Sequence, residues 1–208
     1  MARRNAMCGL PTLSASHQDV VMSVNDLSPE DRTALVAERQ EEYKNFWPGR
    51  SGRRARYTIE MFPLLHVDKR RGHPLIPATH DMKLRKVVET FGKCFKQELG
   101  FDSVPFVARH SRLHPSDPKI EVVLFDAQRV EATFPIAAGA AGLSILDGQR
   151  WLDWVWILPF ERGKGLAERA WRDLEQTYGP DFKIQPPLSP AMEAFLSHND
   201  IAPERWRF

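Results

Sequence analysis

Residues 153–171, DWVWILPFERGKGLAERAW, gather the residue types that a bound anion needs. An apolar run stops at Leu158-Pro159. Arg162, Gly163, Lys164 and Gly165 follow, and then Leu166, Ala170 and Leu174 recur at the spacing of one helix face. The amides of residues 163–167 would point out of a helix N-terminus. The two glycines would let an anionic group come close, and Arg162 and Lys164 add positive charge. That is the chemistry of a phosphate or pyrophosphate seat. The spacing fits neither a P-loop nor the G-x-G-x-x-G fingerprint of dinucleotide sites. The bare alternative is a glycine-assisted strand-to-helix turn that holds no ligand. Upstream, Asp153 is an acid on an otherwise aromatic and aliphatic run, where desolvation would raise its pKa. Strict alternation would put Trp151, Asp153, Val155 and Ile157 on one face.

The elements that must position these residues read as follows. Residues 1–27 lack periodicity and read as a tail or loosely packed arm. Ser28, Pro29, Glu30 and Asp31 are a helix start, and Leu35, Tyr43 and Phe46 give that helix a modest apolar face up to the WPGRSGRR stop. Residues 56–65 alternate like a strand, and RGHPLIPATH reads as a proline-broken loop. Met82, Leu84, Val87, Val88, Phe91, Phe95 and Leu99 predict a helix over 80–99, closed by Gly100. Strands are expected at 104–113, 119–126, 128–134, 135–146 and 151–158, joined by tight turns such as DGQR. A helix at 163–178, a strand at 182–186 and a helix at 190–198 complete a β-α-β unit. The expected class is α+β (mixed α/β): a central, mostly antiparallel sheet with helices on both faces. Two regions are expected, an N-terminal arm and helix over 1–50 and the main domain over 51–208.

Composition narrows the function classes. The 208 residues are 42% hydrophobic and 27% charged, with a formal net charge of +2. This near balance argues against bulk nucleic-acid binding, although basic clusters at 49–57 and 68–73 are candidates for an acidic partner. Two cysteines, Cys8 and Cys94, with no CxxC pair support neither a disulfide framework nor a zinc site, so no metal is expected. A cytoplasmic location and no membrane segment are expected: the N-terminus has no secretory apolar core, and FPIAAGAAGLSIL is too short to span a bilayer.

The segment Arg162-Gly-Lys-Gly165-Leu-Ala167 resembles the Gln/Arg-x-x-Gly-x-Gly/Ala motif of the GNAT superfamily of N-acetyltransferases. Its setting is similar too, with Ile157 at the strand end, then Pro159, then Arg162. SPAMEAFLSHNDI (189–201) resembles the superfamily's second signature, and the likeness covers roughly 104–201. It implies that acetyl-CoA is the cosubstrate. Its pyrophosphate would lie on Arg162, Gly163, Lys164, Gly165, Leu166 and Ala167. Backbone groups of Val155, Trp156 and Ile157 would hold the pantetheine arm and polarise the thioester. It also implies that the strand at 151–158 splays from the one at 182–186. Leu196 stands where the superfamily commonly has a tyrosine acting as general acid, so that acid is missing, or Ser197, His198 or water supplies it. Asp200 replaces a usual glycine. The chain reaches Phe208 before a full pair of C-terminal strands, a truncated C-terminus by this comparison. The acceptor wall is then to be built by the N-terminal part or by a second subunit, as in a homodimer. A narrower likeness, to the sister-chromatid cohesion acetyltransferases, lies in VWILPFERGKGLAERAWRDL and in Ser189-Pro190 with Phe195. It points to a protein lysine as acceptor, but their zinc-finger cysteines are absent and Pro187 replaces an aspartate.

Acetylating an amine requires something to take its proton. Asp153 is the first candidate. His198, near a helix end, and Glu121, on a strand that could face the cleft, are the others. Trp151, Trp154, Trp156 and Trp171 surround the same region, and one of them could line an acceptor pocket. Three functions follow as expectations: an N-acetyltransferase acting on a primary amine, a catalytically silent domain of the same fold that binds or inhibits a partner, and a module that binds acidic partners through 50–56 and 69–73.

Overall fold

The computed structural model describes residues 23–46, 61–109 and 119–206. The elements are α1 (Pro29–Phe46), β1 (Phe62–Pro63), β2 (Leu75–Pro77), α2 (Met82–Leu99), β3 (Lys119–Asp126), β4 (Ile136–Leu146), β5 (Gln149–Ile157), α3 (Leu166–Tyr178), β6 (Lys183–Ile184) and α4 (Pro190–His198). Among the described residues the fold is mixed α+β, with four helices and an open six-stranded sheet in the order β2-β3-β4-β5-β6. Every pairing is antiparallel except β5 with β6. β1 takes up the edge of β4 where β5 has ended, with Phe62 opposite Ala137 and Pro63 opposite Ile136. No helix is long and apolar enough to cross a membrane among the described residues.

The centre of the sheet is built from small side chains. β4 runs Ile-Ala-Ala-Gly-Ala-Ala-Gly-Leu, all buried, and its neighbours fill the space above it. A Cβ at Gly142 would lie 2.2 Å from Nε1 of Trp154, so the indole packs against bare backbone. α2 covers this face. Asp81 caps it by accepting from the amides of Lys83 (2.7 Å) and Leu84 (3.2 Å), and it closes at Gly100 in the left-handed conformation. Its apolar stripe brings Phe91 to Trp156 (5.6 Å between centroids) and Phe95 to Trp154 (5.7 Å). α3 then connects β5 to β6, the crossover that a parallel pair requires.

Several expectations need correction. Residues 104–109 are not a strand: Phe106 and Ala108 are buried, but α2 side chains take the backbone groups. Arg85 Nε donates to the Ala108 carbonyl (3.0 Å), and the Ala108 amide donates to Glu89 (3.0 Å). Positions 110–113 lie outside the described residues. Residues 128–134 form a loop. Buried Asp126 folds it back by accepting from the amides of Gln128 (3.1 Å) and Ile136 (2.9 Å). The expected loop at 71–80 contains β2, an edge strand, where proline is tolerated. The strand expected at 56–65 is limited to Phe62–Pro63 within the described residues. The expected helix at 163–178 begins at Leu166, and the strand at 182–186 narrows to Lys183–Ile184.

The described part of the N-terminal arm is docked: Asp68 accepts from Ser23 Oγ (2.7 Å) and from the Val24 amide (3.0 Å), and Val24 is buried. α1 is held largely by side-chain hydrogen bonds, with Arg39 Nη1 donating to the carbonyls of Leu65 (3.0 Å) and Val67 (3.1 Å). Of the basic clusters, 49–57 lies outside the described residues. In the other, Lys69 is spent on the carbonyls of Arg129 and Ala132, while Arg70 and Arg71 are exposed.

Candidate functional site

β5 and β6 run together for two residue pairs only, Trp151 with Lys183 and Leu152 with Ile184, followed by one bond from the Gln185 amide to the Leu152 carbonyl (3.0 Å). The next two residues are Pro186 and Pro187, which have no N–H to continue the ladder. The strands part there. A cleft of about 360 Å³ opens between β5, the end of α2 and the segment that enters α4. Val155, Trp154, Asp153, Phe101, Leu188 and Met192 are among its lining residues.

The β4–β5 register slips between Gly142 and Leu143: Leu143 faces Leu152 and Gly142 faces Trp154. Asp153 is the extra residue of a β-bulge. Directly opposed residues share a face of the sheet, and faces alternate along a strand. Ser144 opposes Trp151 and Gly142 opposes Trp154. Ser144 Oγ donates to Asp153 Oδ1 (2.8 Å). Asp153 therefore lies with Trp154 on the face covered by α2, whereas Val155 and Ile157 lie on the other. The single face expected from alternation is corrected by the bulge. Burial pushes the Asp153 carboxyl up, and the Ser144 hydroxyl opposes that shift.

The backbone of β5 beyond Leu152 divides in the same alternating way. The Leu158 amide donates to the Ala138 carbonyl (2.8 Å), and a Cβ on Gly139 would lie 2.5 Å from the Trp156 carbonyl oxygen. The polar groups of Trp156 thus turn toward β4, and those of Val155 and Ile157 turn toward the parted side. Of the three residues expected to present backbone to a pantetheine arm, Trp156 does not.

Past β5 the chain makes a short 3-10 turn at Pro159–Glu161 and then the Arg162–Gly165 turn into α3. Gly165 is the N-cap at φ 70, and no side chain caps the helix. The first amides of α3 have no intrahelical partners, which leaves them available to an anion. Gly163, Lys164, Gly165, Leu166 and Ala167 form this turn and helix start. Arg162 has another occupation. Its Nη1 and Nη2 reach the two oxygens of Glu98 on α2 (2.7 and 2.8 Å), and its Nε donates to the Ile157 carbonyl (2.8 Å). Glu98 also accepts from Trp156 Nε1 (2.8 Å). The Arg162 hydrogen bonds hold the Glu98 carboxyl below its ordinary range; burial opposes them, and Trp156 adds to them. Lys164 leans on Glu161 (3.3 Å), a buried acid that also meets Arg129.

The other proton candidates lie elsewhere. Glu121 opposes Leu143 and so lies on the sheet face away from Asp153. It meets Arg150 there (3.8 Å) beside Tyr178, whose hydroxyl is pushed up to about 12 by burial and then by the Glu121 charge. His198 is exposed at the last position of α4, about 12 Å along the helix axis from the Pro190 end that lines the cleft. Ser197 lines an adjoining hollow of about 630 Å³ with Pro186 and Trp206, which shares Pro187, Leu188 and Pro190 with the cleft. Leu196 is fully buried. Of the tryptophans, Trp154 lines the cleft, while Trp171 packs between Phe182 and Phe195.

Sequence reasoning missed Ser144 and Glu98. Ser144 left a signal, as the only hydroxyl in an otherwise apolar strand. Glu98 left none, because its partner is 64 positions away.

No protein-family model, no curated protein and no solved structure matches this chain. Among the described residues, no group of His, Cys, Asp and Glu is arranged to hold a metal ion.

Proposed function

We propose that the chain is an acyl-CoA-dependent N-acyltransferase that moves an acetyl group from acetyl-CoA to a primary amine. One observation carries this reading: a parallel strand pair parts just before an uncapped, glycine-bearing helix start. A ribbon-like arm can then lie along the edge of β5 at Val155, the Ile157 carbonyl being taken by Arg162 Nε, while its phosphates meet the amides of 163–167. An amide of the parted edge, such as that of Val155, would stabilise the oxyanion as the amine nitrogen attacks the thioester carbon. Asp153 would take the proton that the amine releases. When the carbon–sulfur bond breaks, that proton can pass to the departing thiolate, directly or through water. No tyrosine is then required where buried Leu196 stands. This activity fits a reducing cytoplasm, in which Cys94 stays a thiol.

Calorimetry with acetyl-CoA tests the proposal. Gly165→Glu puts a carboxylate against the phosphates at a backbone that favours glycine, and binding should be lost. Equal affinity in wild type and variant would overturn it. Buried Leu196 and remote His198 favour a second reading, a catalytically silent domain that binds the coenzyme or a partner. Turnover on an amine panel separates the two.

A further inference from the structure

The charge distribution in the cleft specifies the kind of amine. Among the described residues that line it, Asp153 alone carries a formal charge. Its one hydrogen bond is from Ser144, and no described cation pairs with it. The nearby acid Glu98 is saturated by Arg162 and Trp156. Arg150 lies on the opposite face, over the Tyr178 ring. On the α2 side of Asp153 the wall is apolar, while Gln185 and Ser189 are the neutral polar residues of the opposite side. Phe95 and Phe101 stack at 5.0 Å, Phe95 touches Trp154, and Leu99 and Met192 complete the apolar part. A half-desolvated carboxylate gains most from a cation that brings its own hydrogen bonds. Several ammonium groups would find one charged partner only, and a polyhydroxylated body would lose water against the apolar α2 side without replacement there.

We propose that this cleft takes a small primary amine on an apolar or aromatic body, with its ammonium on Asp153 and its apolar part against Leu99, Phe101 and Trp154. That it is the acyl acceptor rests on the acyltransferase reading; that it binds does not.

The test is calorimetric titration of the full chain with 2-phenylethylamine, 2-phenylethanol and spermidine. The aromatic amine should bind about 10–100-fold tighter than the alcohol, the value of one charge-assisted contact, and tighter than spermidine. In Asp153→Asn its advantage over the alcohol should vanish. Leu99→Ser, at a partly exposed position that a folded chain tolerates, should weaken amine and alcohol together by several-fold. Spermidine binding as tightly as the aromatic amine, an unchanged amine-to-alcohol ratio in Asp153→Asn, or no binding of 2-phenylethylamine would each overturn the proposal. If 2-phenylethylamine binds and acetyl-CoA does not, the amine site stands and the acyltransferase reading falls. If acetyl-CoA is used to acetylate spermidine but not the aromatic amine, the reading stands and this inference falls.

Discussion

The Glu98–Arg162 pair joins α2 to the turn after β5, and its strength can be worked from the geometry. Glu98 accepts three hydrogen bonds at 2.7–2.8 Å, two from Arg162 and one from the Trp156 indole. Glu98→Gln keeps an acceptor for the indole and removes the charge and the forked contact. A charge-assisted bond contributes roughly 1.5–3 kcal/mol. The Arg162 side chain is 42% exposed and that of Glu98 24%, so solvent screening discounts the ionic part to about 1–2 kcal/mol. For a chain of this size that is about 2–8 °C in Tm. The sign with pH follows from the depressed carboxyl. Its contribution is present above the unfolded value of 4.5 and is lost as pH falls through the lower folded value. The gap between wild type and Glu98→Gln in urea denaturation should therefore be full at neutral pH and close in acid. Coincident unfolding curves at neutral pH, or a gap that persists undiminished at about pH 3, would refute this account of the pair.

Three further outcomes are expected. Gly142→Val puts a Cβ into the Trp154 indole and should cost about 1–3 kcal/mol, read as a lower Tm with a changed near-ultraviolet spectrum. Asp153→Asn should stabilise the fold at neutral pH: its folded pKa is raised, so ionisation opposes folding as pH climbs through and above the unfolded value, and the gain over wild type should shrink toward pH 4. A less stable Asn variant at neutral pH would show that the carboxylate is instead a structural partner. Ser189→Ala removes the cap that accepts from the Met192 amide (3.2 Å) and should cost about 1 kcal/mol, measured as a lower denaturation midpoint.

The helices were legible because their signals are local: Ser28-Pro29 before α1, the apolar spacing of α2 with Gly100 after it, and Leu166, Ala170 and Leu174 along α3. β4 and β5 were legible for the same reason, since Asp147-Gly148 turns one into the other. The errors arose where distant side chains decide the backbone. Nothing within 104–109 announces that Arg85 and Glu89 will bond Ala108, nor within 128–134 that Asp126 will bridge to Ile136. At the candidate site, the glycine turn was readable and the parting of the strands is foreshadowed by Pro186-Pro187. The bulge that reorients Asp153 was not, because a register slip is a property of two strands together.

The two-pair attachment of β6 also bears on how the molecule opens. β3, β4 and β5 are laced along most of their length, whereas β6 shares only Trp151–Lys183 and Leu152–Ile184 with the sheet. What holds residues 182–206 instead is packing, with Phe182, Ile184 and Leu196 buried in the core, reinforced by Arg205. Its guanidinium donates to the Phe182 carbonyl (3.1 Å) and to Glu175 (2.6 Å) and lies over the rings of Trp171 and Phe182. Such a segment is held by buried side chains rather than by a ladder, so opening it costs apolar burial more than backbone hydrogen bonds. Peeling it away leaves the laced strands whole, and it removes one wall of the cleft while the bulge, Asp153 and the turn into α3 stay in place. Access to the site on that side is thus set by side-chain packing, whereas the sheet beneath it is set by its ladders.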